Sequence, residues 1–96
     1  MRVISKKPIR EFWQCHPESK SALEEWFYKV SQLSINNFLE LRNNFNTADY
    51  VDGYTVFDVG GNKYRIAAVV HYDKQRLYVR QVMTHAEYDR NNWRKR

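Results

Sequence analysis

Five side chains in the second half of this sequence have types suited to chemistry on a phosphodiester: Lys63, Arg65, Arg80, His85 and Tyr88. Arg65 sits between Tyr64 and Ile66 in an otherwise apolar run, and Arg80 interrupts Leu77-Tyr78-Val79 and Val82-Met83 in the next. Successive strand residues point to opposite faces, so each Arg is expected to leave the core for the other surface. His85 and Tyr88 are three residues apart, a spacing that places both on one face of a helix. That helix is expected to start directly after the Arg80 strand. All five groups are therefore expected to converge near one end of a sheet.

Such a set suits RNA cleavage without a metal. An attacking 2′-hydroxyl must lose a proton, a pentavalent phosphorane must be stabilised, and the leaving 5′-oxygen must gain a proton. Imidazole is the usual carrier of protons near neutral pH. Guanidinium offers a fixed fork that matches phosphate oxygens. A phenol can stack on an unpaired base or donate a hydrogen bond. The plainer reading is that Arg65 and Arg80 solvate an exposed sheet face and pair with Asp58 or Glu87. Spacing alone leaves both readings open.

Other chemistries find less support. His16, His71 and His85 are far apart, and no Cys–His or His–Glu–His spacing occurs, so neither a metal site nor a cofactor is expected. Gly60-Gly61-Asn62-Lys63 is too short for a nucleotide-binding loop and precedes a strand, so it reads as a tight turn. Cys15 is the only cysteine, which rules out an intramolecular disulfide, and its place in a helical apolar pattern reads as a packed thiol.

The elements that must position the five groups follow from periodicity. Val3-Ile4-Ser5 is short and β-prone and is expected to add a strand to a later sheet. Pro8 suits the first turn of a helix whose face is Ile9, Phe12 and Trp13, and His16-Pro17 breaks it. Pro17 opens a second helix, with Leu23, Trp26, Phe27 and Val30 as its apolar stripe and an end near Ser34. Phe38, Leu39 and Leu41 mark a shorter third helix that Asn43-Asn44 ends. From Tyr54 the period changes to two. Tyr54–Val59, Lys63–Tyr72 and a strand running through Leu77, Val79, Gln81 and Met83 form an antiparallel meander, joined at Gly60-Gly61-Asn62 and Asp73-Lys74-Gln75. Thr84 and Glu87 are spaced as a capping box for a last helix, His85 to about Trp93. The expected fold is α+β: N-terminal helices packed on a small, mainly antiparallel sheet, with a short C-terminal helix and one sheet face partly open.

Composition bounds the rest. Ninety-six residues suit one domain, 1–96. A hydrophobic share of 43% with 16% aromatics is too rich for a disordered chain. Residues 74–96 hold seven basic side chains against two acidic, while residues 1–73 balance at nine each, so the entire net charge of +5 lies in the last quarter. A one-sided positive field draws polyanions. Lys74, Arg76, Arg90 and Arg94 are accordingly candidate RNA-binding residues, and Lys63 of the five-residue set joins them. No stretch approaches the roughly 20 apolar residues of a membrane helix, and the N-terminus lacks a signal-peptide core, so a cytoplasmic location is expected.

Two segments carry a resemblance. Val56-Phe57-Asp58-Val59-Gly60-Gly61-Asn62-Lys63-Tyr64-Arg65 resembles the central hairpin of HigB toxins. Arg80-Gln81-Val82-Met83-Thr84-His85-Ala86-Glu87-Tyr88-Asp89 resembles that family's closing strand and helix, with its T-H-x-E-Y-D pattern. The match covers about residues 54–90. HigB toxins belong to the wider RelE-like group. The resemblance implies cleavage of messenger RNA, usually in the ribosomal A site, and a helix-turn-helix antitoxin, HigA, in a toxin–antitoxin hetero-oligomer. It also implies that Arg65 and Arg80 are phosphate and transition-state ligands, that His85 is the general acid or base, and that Tyr88 orients or stacks on the substrate. The tail Trp93-Arg94-Lys95-Arg96 lies outside the motif and reads as an RNA or ribosome contact or as a solvated end. Two alternatives to the enzyme stand beside it: a non-catalytic RNA- or ribosome-binding module, and an interaction protein whose sheet serves only a partner.

Overall fold

The computed structural model describes residues 1–90 and Trp93. Pro8 lies in the first turn of helix α1 (Lys7–Cys15), where its missing N–H leaves no bond unmade. Ile9 and Phe12 are the buried residues of α1. His16-Pro17 ends it, and Pro17 opens a 3₁₀ turn, Pro17–Ser19, before α2 (Lys20–Gln32) begins. Leu23, Trp26 and Val30 give α2 its buried stripe. Asn37 caps α3 (Phe38–Asn44) by accepting a hydrogen bond from the Glu40 amide at 2.9 Å.

Five strands form one sheet: β1 (Arg2–Ile4), β2 (Asp49–Val51), β3 (Tyr54–Val59), β4 (Tyr64–His71) and β5 (Arg76–Thr84), in spatial order β1-β5-β4-β3-β2. The meander β3-β4-β5 is antiparallel, β2 extends it antiparallel, and β1 joins the β5 edge in parallel. The fold is α+β, as the sequence predicts. The helices supply Ile9, Leu23, Trp26 and Val30 to a core whose floor is Phe57, Ile66, Ala68 and Leu77. Among the described residues no helix is long and apolar enough to cross a membrane.

The expected unbroken alternation of β5 does not hold. Ala67 pairs with Gln81 and Ala68 with Val79, so Arg80 is an extra residue bulged out of the ladder. One inserted residue shifts the side-chain phase by one. Leu77, Val79 and then Val82 therefore pack on the helix side, while Met83 crosses to the other face. There it joins Tyr54, Val56, Ala67 and Trp93 in a second apolar cluster, so that face is only partly open.

Other expectations are also corrected. Cys15 is exposed rather than packed, because it stands six residues from Ile9, about 120° around the helix. The last helix, α4, covers only His85–Asp89. Residues 94–96 of the basic tail lie outside the described residues, and Trp93 is packed rather than a solvated end. It is 6% exposed, stacks on Tyr88 with ring centroids 5.2 Å apart, and donates Nε1–H to the Tyr88 carbonyl at 3.1 Å.

Candidate active site

The ends of β3 and β5, the start of β4 and all of α4 meet at one end of the sheet. Arg65 sits at their centre and is 7% exposed. A buried charge is costly unless its donors are paired. Guanidinium has five N–H donors, and each meets an acceptor. Nε faces Asp58 Oδ1 at 2.8 Å. Nη1 reaches the carbonyls of Asn62 at 3.1 Å and Tyr64 at 3.2 Å. Nη2 reaches Asn62 Oδ1 at 2.6 Å and His85 Nδ1 at 2.9 Å. The Tyr88 ring lies against the guanidinium, 5.4 Å from its carbon to the ring centroid.

Local sequence dictates this arrangement. The β3–β4 turn needs left-handed backbone at Gly60, Gly61 and Asn62. A Cβ on Gly60 would stand 3.0 Å from the Tyr64 ring. Asn tolerates the left-handed region better than most residues, and at Asn62 that conformation accompanies the presentation of both its carbonyl and its side-chain oxygen to Arg65. Across the ladder Asp58 is the β3 partner of Arg65 and Met83 its β5 partner. His85 follows Met83 by two residues. Its amide donates to the Lys63 carbonyl at 3.0 Å, tying α4 to the turn. The capping box forms as predicted: the Glu87 amide donates to Thr84 Oγ1 at 3.2 Å, and the Thr84 amide donates to Glu87 Oε1 at 2.8 Å.

Arginine remains protonated in proteins and is only a donor. His85 Nδ1 must therefore accept from it, which leaves the ring hydrogen on Nε2. That nitrogen lies 3.1 Å from Asp89 Oδ2, one helical turn on. The result is a chain from Asp89 through the imidazole to Arg65. The His85 side chain is 48% exposed, so one edge of the chain faces solvent.

The remaining predicted residues divide in two. Arg80, bulged from β5, borders both sides of the sheet and lines a depression with Glu11, Phe12 and Cys15 of α1. With Gln81, Tyr54, Ala67, Val69 and Trp93 it also lines an open depression of about 580 Å³. Its guanidinium lies over the Tyr78 ring at 5.8 Å, separate from the Arg65 group. Lys63 is exposed on the turn beside His85, and Arg90 is exposed at the C-terminal end of α4. Lys74 and Arg76 are exposed at the opposite end of the β4–β5 hairpin. At about 3.3 Å per residue, eight residues of β5 put Arg76 roughly 25 Å from Thr84. Arg94 lies outside the described residues. Sequence reasoning missed Asn62 and Asp89 as partners of the site, and had Asp58 only as a neutralising partner. Their spacings, i−3 from Arg65 and i+4 from His85, were the available signal.

On the helix side of the same turn, Tyr64 is buried with its hydroxyl 3.4 Å from Glu18 Oε1. Burial first, and the Glu18 carboxylate second, push its phenol above the usual value. Among the described residues, no three His, Cys, Asp or Glu side chains gather as a group that could hold a metal.

Residues 19–91 match the HigB toxin family, described as the RelE-like toxic component of a toxin-antitoxin system. The chain is 33% identical over 92 residues to the mRNA interferase toxin HigB of Escherichia coli K12, covering 93% of this chain and 88% of that protein. The mRNA interferase HigB of Shigella flexneri shows the same identity and coverage. That of Escherichia coli O6:H1 is 31% identical over 93 residues, 94% of this chain and 90% of its own. The matched region contains the whole Arg65–His85–Tyr88 group, and the chain belongs to the HigB family of RelE-like toxins.

Proposed function

We propose that this protein is an endoribonuclease, the toxin of a toxin–antitoxin pair, which cuts messenger RNA in the ribosomal A site and so arrests translation and growth. Its relatives are named mRNA interferases. The observation that carries the reading is the gathering of Arg65, His85 and Tyr88 at one end of the sheet, with an exposed imidazole edge.

The reaction needs no metal in this reading. A 2′-hydroxyl attacks the adjacent phosphorus. The O2′–P bond forms, the P–O5′ bond breaks, a proton leaves the 2′-oxygen, and a proton reaches the 5′-oxygen. The products are a 2′,3′-cyclic phosphate and a 5′-hydroxyl. His85 moves a proton, and Tyr88 orients or stacks on the substrate. Arg80 and Lys63 are the cations offered to phosphate, and Arg65 is a fixed charge beside His85. Lys74, Arg76, Arg90 and Arg94 guide the polyanion. The partner is an antitoxin of the HigA helix-turn-helix type, in a cytoplasmic hetero-oligomer.

Inducible expression with RNA end-mapping tests the proposal. New message ends and growth arrest are expected from the native chain and are lost in His85→Ala. Full toxicity in both Arg65→Ala and His85→Ala rejects this site. RNA or ribosome binding without new ends favours the non-catalytic module instead.

A further inference from the structure

Arg65 has the residue type of a phosphate ligand, yet its geometry is that of a brace. All five of its donors are directed at protein acceptors, from β3, the Gly60–Asn62 turn, the β4 backbone and α4. Its guanidinium carbon lies over the Tyr88 ring, 5.4 Å from the centroid. A phosphate at Arg65 would find no unused N–H and would have to displace Asp58, Asn62 or His85 from donors already paired with them. The same bonds determine what His85 can do. With Nδ1 accepting from Arg65, the hydrogen is held on Nε2, and the ring plane is fixed between Arg65 and Asp89.

We propose that Arg65, clamped by Asp58 and Asn62, is a positioning residue that sets the ring orientation and tautomer of His85 and does not itself ligate the scissile phosphate. The inference rests on the endoribonuclease reading and assigns the phosphate to the cations that remain outside this brace, Arg80 first. It places Asp58 and Asn62 in the same supporting role.

Two measurements on the full chain separate a brace from a ligand. The first is the long-range ¹H–¹⁵N spectrum of the neutral His85 ring. The native chain is expected to show Nδ1 as the bare nitrogen and Nε2 as the protonated one, and Arg65→Gln a mixture of both tautomers. The second is binding of a 2′-O-methyl RNA oligonucleotide, which lacks the attacking hydroxyl, across a salt series. Each phosphate contact adds about 0.7 to the slope of log K against log salt for a single strand. Arg65→Gln is expected to keep the native slope while cleavage of unmodified RNA falls about 100-fold, the scale of a misplaced reacting group.

A slope reduced by about 0.7 with an unchanged His85 spectrum overturns the proposal. So does a native His85 that carries its hydrogen on Nδ1, a result that needs no variant to fold. Absence of cleavage by the native chain rejects the endoribonuclease reading, and the nitrogen spectrum then still decides whether Arg65 holds His85.

Discussion

Arg65 Nη2 and His85 Nδ1 stand 2.9 Å apart although twenty residues separate them in the chain. The β4–β5 ladder makes this meeting, since Arg65 faces Met83 and α4 begins two residues later. Loss of the imidazole frees one guanidinium N–H at a half-exposed position, where water can replace the lost acceptor. His85→Ala is therefore expected to change stability by no more than about 1 kcal/mol, or roughly 4–8 °C in Tm. Cleavage is expected to fall by about 10²–10⁴-fold. Thermal melts beside RNA end-mapping check the pair of outcomes; a collapsed melt would make His85 a structural residue.

Arg80 is expected to behave oppositely to Arg65. Bulged from β5, it lines the open depression and makes no ion pair among the described residues. Arg80→Gln should leave the melting curve near native, since surface substitutions usually stay within about ±0.5 kcal/mol. RNA binding should weaken, and its salt slope should drop by about 0.7. A salt series on the variant and the native chain reads this directly.

Asp58 is expected to matter for stability. It pairs with Arg65 Nε at 2.8 Å and is itself 26% exposed, so water screens part of the interaction. Asp58→Ala leaves a buried N–H without its acceptor, at a cost of about 1–3 kcal/mol. Asp58→Asn keeps an oxygen there and should cost less. Urea melts of both variants test the order.

What the sequence revealed and what it hid share a physical cause. Signals that lie within one element were readable: the Leu23, Trp26 and Val30 stripe, the Gly60-Gly61-Asn62 turn, and the Thr84–Glu87 capping box. Signals that depend on a neighbouring strand were not. The β5 bulge at Arg80 leaves no mark in a run that alternates acceptably without it, yet it decides that Met83 faces away from the helices. The full set of partners around Arg65 requires the β3 register and the path of α4 together. Strand β2 is three residues long and mostly exposed, too short for a period to show. Charge alone groups Lys74 and Arg76 with the other basic residues, while the hairpin carries them to its far end.

Alkaline pH should weaken the fold through two phenols. Burial pushes Tyr64 up, helped by Glu18. Burial also raises Tyr72, with a hydrogen bond to Thr55 opposing it and Tyr50 adding to it. Both are thus harder to ionise in the folded chain than in the unfolded one, where a phenol titrates near about pH 10. The unfolded state binds fewer protons above that value, so stability is full below it and falls as pH rises through the raised values. Tyr64→Phe should flatten the decline in urea midpoints on the alkaline side of pH 10. An equally steep decline in that variant would assign the loss to other groups.

Trp93 closes the second face of the sheet and is expected to be a major support of it. Its ring packs edge-on to Tyr54 at 5.6 Å and stacks on Tyr88 at 5.2 Å, within the cluster that includes Val56, Ala67 and Met83. Truncation of a large buried aromatic costs about 3–5 kcal/mol, a large share of the about 5–15 kcal/mol that stabilises a typical domain. Trp93→Ala should therefore lower the denaturation midpoint steeply, and it should loosen Tyr88, whose carbonyl loses the Nε1–H donor. Trp93→Phe should recover much of the packing without that hydrogen bond. An RNA-contacting tryptophan would give the reverse pattern, with native stability and weakened binding, so denaturation and RNA binding measured on the same two variants separate the roles.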